Sequence, residues 1–167
     1  MTSIPWDLFP ELKSAECPNP GVGMMFLPQD ASRRSQIKEV IEGVCRNNEL
    51  EVVGWRTVPV DESVLGPQAR AVVPHIEQLF VKAPKRLKDD EDRDGFERTL
   101  YLVRRRFDVE IRRRGLVWED EEPVYVASFS SRTIVYKGMV QSCVLPEFYL
   151  DLKDPNYTTQ FVIYHRR

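Results

Sequence analysis

Three cysteines, two histidines, a pair of glycines and two arginine triplets are the residues of this 167-residue chain whose types and spacing could do chemistry. A cysteine becomes a nucleophile when its surroundings hold it as thiolate. Cys17 lies beside Glu16, whose charge disfavours that form, and all of Cys17, Cys45 and Cys143 are expected to be small buried hydrophobes. They are odd in number and far apart, which argues against a disulfide framework and a zinc site. His75 falls in an apolar stretch and His165 near the chain end. Neither belongs to a local nucleophile motif, so each is expected to be structural or superficial. Gly21 and Gly23 lack the third glycine of a dinucleotide fingerprint and are read as turn residues. Residue pattern alone yields no complete catalytic set.

Arg104, Arg105 and Arg106, with Arg112, Arg113 and Arg114, leave two readings open. They could contact phosphates or an acidic partner, making the chain a small RNA- or acidic-partner-binding α/β module. The reading preferred here is a solvated face, with cations suiting a helix C-terminus and Glu119, Asp120, Glu121 and Glu122 balancing them just beyond. Those acidic residues would repel a nucleic-acid backbone. Trp6, Trp55 and Trp118 are expected to pack rather than bind a ligand.

These residues sit in a chain of ordinary composition, 42% hydrophobic and 30% charged, with a net charge of -2. One domain is expected, with no global pull toward nucleic acid or an anionic membrane. No apolar stretch approaches the roughly 20 residues that span a bilayer, and Pro5, Asp7, Pro10 and Glu11 interrupt any signal-like start. A cytoplasmic location is the expectation.

The elements that would position the chemistry can be read from periodicity. Val22 to Leu27 predicts a strand, and Asp30 caps a helix with Ile37, Val40, Ile41 and Val44 inward. Leu50 to Val58 predicts a strand, Gly66 to Val73 a short helix with Pro67 in its first turn, and His75 to Val81 another strand. Lys82 to Arg93 reads as a solvated loop. Asp94 is placed to cap the longest helix, whose inward face is Phe96, Leu100, Val103, Phe107 and Ile111, with Gly115 at its exit. Val124 to Phe129 predicts a central strand and Thr133 to Tyr136 its hairpin neighbour. The apolar run Phe161 to Tyr164 predicts a last buried strand, after which only His165, Arg166 and Arg167 remain. The element order gives an α/β or α+β class with a mixed sheet under helices, a pattern that also suits a small ferredoxin-like module.

Several stretches taken in order carry more information than periodicity does. They are Gly21 to Pro28, Val53 to Val60, Phe96 to Arg105 in part, the specific run Ser130 to Met139, and Phe148, Tyr149, Asp151 and Leu152 before the terminal run. Together they resemble the class II glutamine amidotransferase domain of the glutamate synthase large subunit, over nearly the whole chain. The resemblance implies an α+β fold that is part of an Ntn-hydrolase-like α/β/β/α sandwich, with mixed sheets covered by helices. It also implies that residues 1–167 form a single incomplete domain.

By the same resemblance, the family's catalytic cysteine leads the mature subunit, and its thiol and free amine both take part in glutamine hydrolysis. No residue here matches it, and that segment is expected upstream of Met1. His165 and Arg167 match the start of a His-x-Arg motif, which places Arg167 on the arginine that pairs with the L-glutamine α-carboxylate. A guanidinium fork suits that partner. The oxyanion-hole residues and the aspartate that holds the substrate amine are expected beyond Arg167. The implied parent hydrolyses glutamine and passes ammonia on for glutamate biosynthesis. Its FMN and iron–sulfur cluster belong to other parts, so no cofactor is expected in this chain. The expected partners are glutamine and the remaining domains of the large subunit, with no nucleic acid and no membrane. The chain alone is expected to be inactive.

Overall fold

The computed structural model describes residues 19–84, 93–116 and 124–164. Strand β1 (Gly21–Leu27) is buried on both faces and forms the spine of the sheet. It pairs with β3 (His75–Lys82) on one side and β4 (Tyr125–Ser130) on the other, while β2 (Glu51–Thr57) adds outside β3. The order is β2-β3-β1-β4 and every pairing is antiparallel, so the fold is α+β and the described sheet is not mixed.

One face of the sheet is covered by two helices. Helix α1 (Ala31–Asn47) starts where the Asp30 carboxylate accepts the Arg33 N–H, and it buries Ile37, Val40, Ile41 and Val44 as its spacing predicts. Helix α3 (Arg93–Arg113) buries Phe96, Leu100, Val103, Phe107 and Ile111. It ends at Gly115, whose φ of 70° allows Leu116 N–H to bond Ile111 C=O and Gly115 N–H to bond Arg112 C=O. Asp94 lies inside the first turn rather than capping it, and its carboxylate accepts a hydrogen bond from Arg132.

Gly21 and Gly23 are not turn residues. They are buried in β1 where side chains approach closely: a Cβ on Gly21 would lie 2.8 Å from Val81 Cγ2 of β3 and 2.9 Å from Leu100 Cδ2 of α3, and one on Gly23 would lie 2.5 Å from Met25 Cε and 3.2 Å from Phe129 Cδ2.

The other face carries a second core of Met24, Val58, Leu65, Ile76, Phe148 and Tyr149. Short elements cover it: a 3-10 turn (Glu62–Val64), α2 (Pro67–Ala71), α4 (Leu145–Phe148) and a 3-10 turn (Leu150–Lys153).

Three expectations for the C-terminal half are corrected. The strand expected at the centre, β4, lies at the end of the sheet and pairs only with β1 among the described residues. Thr133 to Tyr136 form no hairpin strand. The Ser130 hydroxyl accepts the N–H groups of Arg132 and Thr133 and turns the chain, and Val135 N–H bonds the Ser128 hydroxyl instead of a ladder carbonyl. Phe161 to Tyr164 form no strand and are 63–87% exposed. No neighbouring strand among the described residues pairs with them.

Candidate functional site

Residues from four of the stretches that carry the family resemblance converge at two polar centres. On the second face, Arg56 of β2 points inward beside Gln78 of β3. Its guanidinium donates to both oxygens of Asp151, at 2.8 Å to Oδ2 and 2.5 Å to Oδ1, and to Gln78 Oε1 at 3.0 Å. The Tyr136 hydroxyl donates to Asp151 Oδ2 at 3.0 Å. The Asp151 hydrogen bond raises the Arg56 pKa above its already high ordinary value, against the effect of burial. Burial, then the neighbouring Tyr157 and Asp151, push Tyr136 well above the usual phenol range. Its ring stacks edge-on with Tyr149 and Tyr157, and the Tyr149 hydroxyl donates to Lys137 C=O at 2.7 Å.

The second centre joins α3 to the end of β4. Glu97 accepts the Ser130 hydroxyl at 2.8 Å, and both the N–H and the hydroxyl of Ser131 at 2.6 Å. Asp94, one turn earlier, holds Arg132 at 2.6 Å, and that contact lowers the Asp94 pKa. The run Ser130 to Met139 is therefore bolted to α3 at its start and to Asp151 through Tyr136. Glu77, a buried carboxylate like Asp151, lies under α1 with Lys38 Nζ at 2.5 Å and His75 Nε2 at 3.0 Å.

These groups hold the chain together and do not constitute reaction chemistry. Both oxygens of Asp151 and both oxygens of Glu97 are engaged by donors, so neither of these two carboxylates is poised as a base. Burial, with the Glu42 charge adding to it, pushes the Cys45 thiol up to about 12, so Cys45 is inert. Cys143 is exposed, against the expectation of burial, with its Sγ 3.8 Å from Gln141 Oε1. His75 contacts Glu77 rather than a nucleophile. Among the described residues no group of three or more His, Cys, Asp or Glu side chains is placed to hold a metal ion, and no helix is long and apolar enough to cross a membrane.

A largely apolar cavity of about 430 Å³ opens beside the second core between Phe26, Val73, Ile76, Tyr125, Met139 and Phe148. Lys137 at its wall donates to the Tyr125 hydroxyl at 2.8 Å. Cys17, Trp6, Trp118, Glu119 to Glu122, His165 and the one predicted substrate contact, Arg167, lie outside the described residues, as does most of the charged run after Lys82. Site reasoning from sequence missed Asp151, Glu97 and Arg56. A signal for them existed, since each is a charged residue within a resembling stretch, and Asp151 stands between Leu150 and Leu152.

Comparison with known proteins identifies the family. The family described as glutamine amidotransferases class-II matches residues 1–167. The ferredoxin-dependent glutamate synthase 2 of Synechocystis is 45% identical over 173 residues, covering 100% of this chain and 10% of that protein. The chloroplastic ferredoxin-dependent glutamate synthase of rice is 44% identical over the same span and coverage, and the chloroplastic glutamate synthase 2 of Arabidopsis 43%. The chain spans about 10% of the length of these relatives. It belongs to the class-II glutamine amidotransferase family.

Proposed function

We propose that this member of the class-II glutamine amidotransferases supplies scaffold and one substrate contact to the glutaminase domain of a glutamate synthase, and that its 167 residues do not include the nucleophile. The observation that carries the proposal is identity of 43–45% to three glutamate synthases across the full chain. In this reading the antiparallel sheet is one of the two sheets of an Ntn-type sandwich. Its second face, onto which the apolar cavity opens, is where the other sheet packs, and the exposed run Phe161 to Tyr164 is further apolar surface for that association. Burial of that face would remove apolar surface from water, the main favourable term in such an association.

The reaction runs by thiolate attack on the glutamine side-chain amide, release of ammonia and hydrolysis of the thioester, with amide donors holding the oxyanion. Arg167 pairs with the glutamine α-carboxylate. The Arg56–Asp151–Tyr136 centre fixes the point from which the chain runs toward it. Neither described cysteine suits the nucleophile in this reading, since Cys45 is buried with a raised pKa and the exposed Cys143 has the amide of Gln141, not a base, as its hydrogen-bond partner. FMN and iron–sulfur chemistry belong, in this proposal, to other parts of a glutamate synthase large subunit, whose remaining domains are the partners. A cytoplasmic location belongs to the same proposal, although the rice and Arabidopsis relatives are named as chloroplastic.

The test is ammonia release from glutamine by the purified chain. No release above a protein-free control is expected. Turnover that persists after all three cysteines are replaced would refute the family mechanism for this chain.

A further inference from the structure

Two arginines of the α3 triplets, Arg104 and Arg106, join the scaffold, while Arg105 and Arg112 are left unassigned by the proposed glutaminase reading. Only Arg104 turns inward, donating to Val126 C=O at 2.7 Å, while Arg106 reaches Asn48 at the end of α1. Among the exposed positions of the helix, Arg98, Leu102, Arg105, Val109 and Arg112 follow one another at spacings of four, three, four and three. That spacing is the seam of a two-helix coil, with apolar residues at one repeat position and arginines at the other. Leu102 is 57% exposed, Val109 60%, and Tyr101 beside them 61%. Arg105 and Arg112 have no carboxylate partner among the described residues, and with Asp108 they line a shallow groove against the start of β4.

We infer that the outer face of α3 is a docking surface for an acidic amphipathic helix, one that sets apolar side chains on Leu102 and Val109 and carboxylates on Arg105 and Arg112. The alternating seam selects this occupant. A second copy of the same face would bring only its own arginines to the seam, in either orientation, with no row of carboxylates to meet Arg105 and Arg112. A nucleic-acid backbone would make no use of three exposed apolar side chains, and it would meet Asp108 in the groove. A lipid surface needs a broad apolar face, whereas the inward face of this helix is committed to the core. Charge at the arginine positions would steer and orient the partner, and the leucine and valine would supply the desolvated centre.

The experiment titrates the purified chain with a synthetic helical peptide of about 21 residues whose leucines and glutamates repeat at this spacing. A lysine-for-glutamate version, a single-stranded RNA oligomer and anionic phosphatidylserine vesicles serve as comparison probes. Saturable binding of the glutamate peptide is expected, weakened about tenfold or more both by Arg105→Glu with Arg112→Glu and separately by Leu102→Ser with Val109→Ser. The lysine peptide should not bind. All four positions are exposed, and circular dichroism of each variant confirms that it is folded. The inference is overturned if the glutamate peptide fails to bind. It is also overturned if loss of Leu102 and Val109 leaves binding unchanged, or if RNA or vesicles bind more tightly than the peptide through the same arginines. None of these outcomes bears on glutamine hydrolysis.

Discussion

Replacing Asp151 with asparagine tests what holds the second face together. In the native chain Asp151 is 8% exposed and receives two donors from Arg56 and one from Tyr136. Asp151→Asn keeps the shape but turns one acceptor into a donor that faces the guanidinium or the phenol. It also leaves the Arg56 charge, 16% exposed, without its counter-ion. Removing one partner of a buried pair costs about 3–5 kcal/mol, and the residual exposure here places the loss near the lower end, about 3 kcal/mol. With a urea slope of about 2 kcal/mol/M, the unfolding midpoint should fall by about 1.5 M. Removing the whole pair, as Arg56→Met with Asp151→Leu, should recover most of that loss, because the uncompensated charge goes with it. A midpoint shift for Asp151→Asn below about 0.3 M, with the double variant additive, would mean the fork is worth no more than a surface ion pair and would refute the reasoning.

Other consequences follow from the same geometry. Gly21→Ala should lower stability by about 1–3 kcal/mol, because its Cβ would meet Val81 at 2.8 Å and Leu100 at 2.9 Å; thermal unfolding reads the loss. Gly43→Ala, inside α1 with nothing within 4 Å of the new methyl, should raise stability by about 0.5–1 kcal/mol in the same assay. Tyr136 and Tyr149 are both raised by burial above the ordinary 10.0, so the folded chain holds their protons more tightly than the unfolded one. Their contribution is complete below pH 10 and is lost as pH rises beyond it, by up to about 1.4 kcal/mol per unit for each group. Urea midpoints at pH 9 and pH 11 should differ accordingly, and Tyr136→Phe should reduce the difference; equal midpoints in the native chain would contradict it.

Much of the helical layer was legible in the sequence. The spacing of Ile37, Val40, Ile41 and Val44, and of Phe96, Leu100, Val103, Phe107 and Ile111, identifies the faces that α1 and α3 bury, because each helix has a single apolar partner. The sheet edge was harder. Thr133 to Tyr136 have strand-like composition, yet Ser130 and Ser128 offer the backbone side-chain acceptors that compete with a ladder. Phe161 to Tyr164 read as buried because apolar runs are usually covered. Composition cannot say whether the covering strand belongs to the same stretch of chain. Gly21 and Gly23 looked like turn chemistry because much of the close approach that requires small residues comes from side chains far away in sequence, Leu100 and Val81 at Gly21 and Phe129 and Leu79 at Gly23. For the same reason the Asp151 and Glu97 centres, each assembled across long sequence separations, were visible only as unusual charges inside resembling stretches. Arg167 was reached by resemblance alone, and the described residues do not include it.

The claim that this chain holds scaffold without a nucleophile can be tested by looking for the intermediate itself. The purified chain is incubated with glutamine, quenched in acid and analysed by intact mass and peptide mapping, since a class-II mechanism passes through a glutamyl thioester on cysteine. The prediction is an unmodified chain with Cys17, Cys45 and Cys143 all free. A glutamyl adduct on any one of them would contradict it.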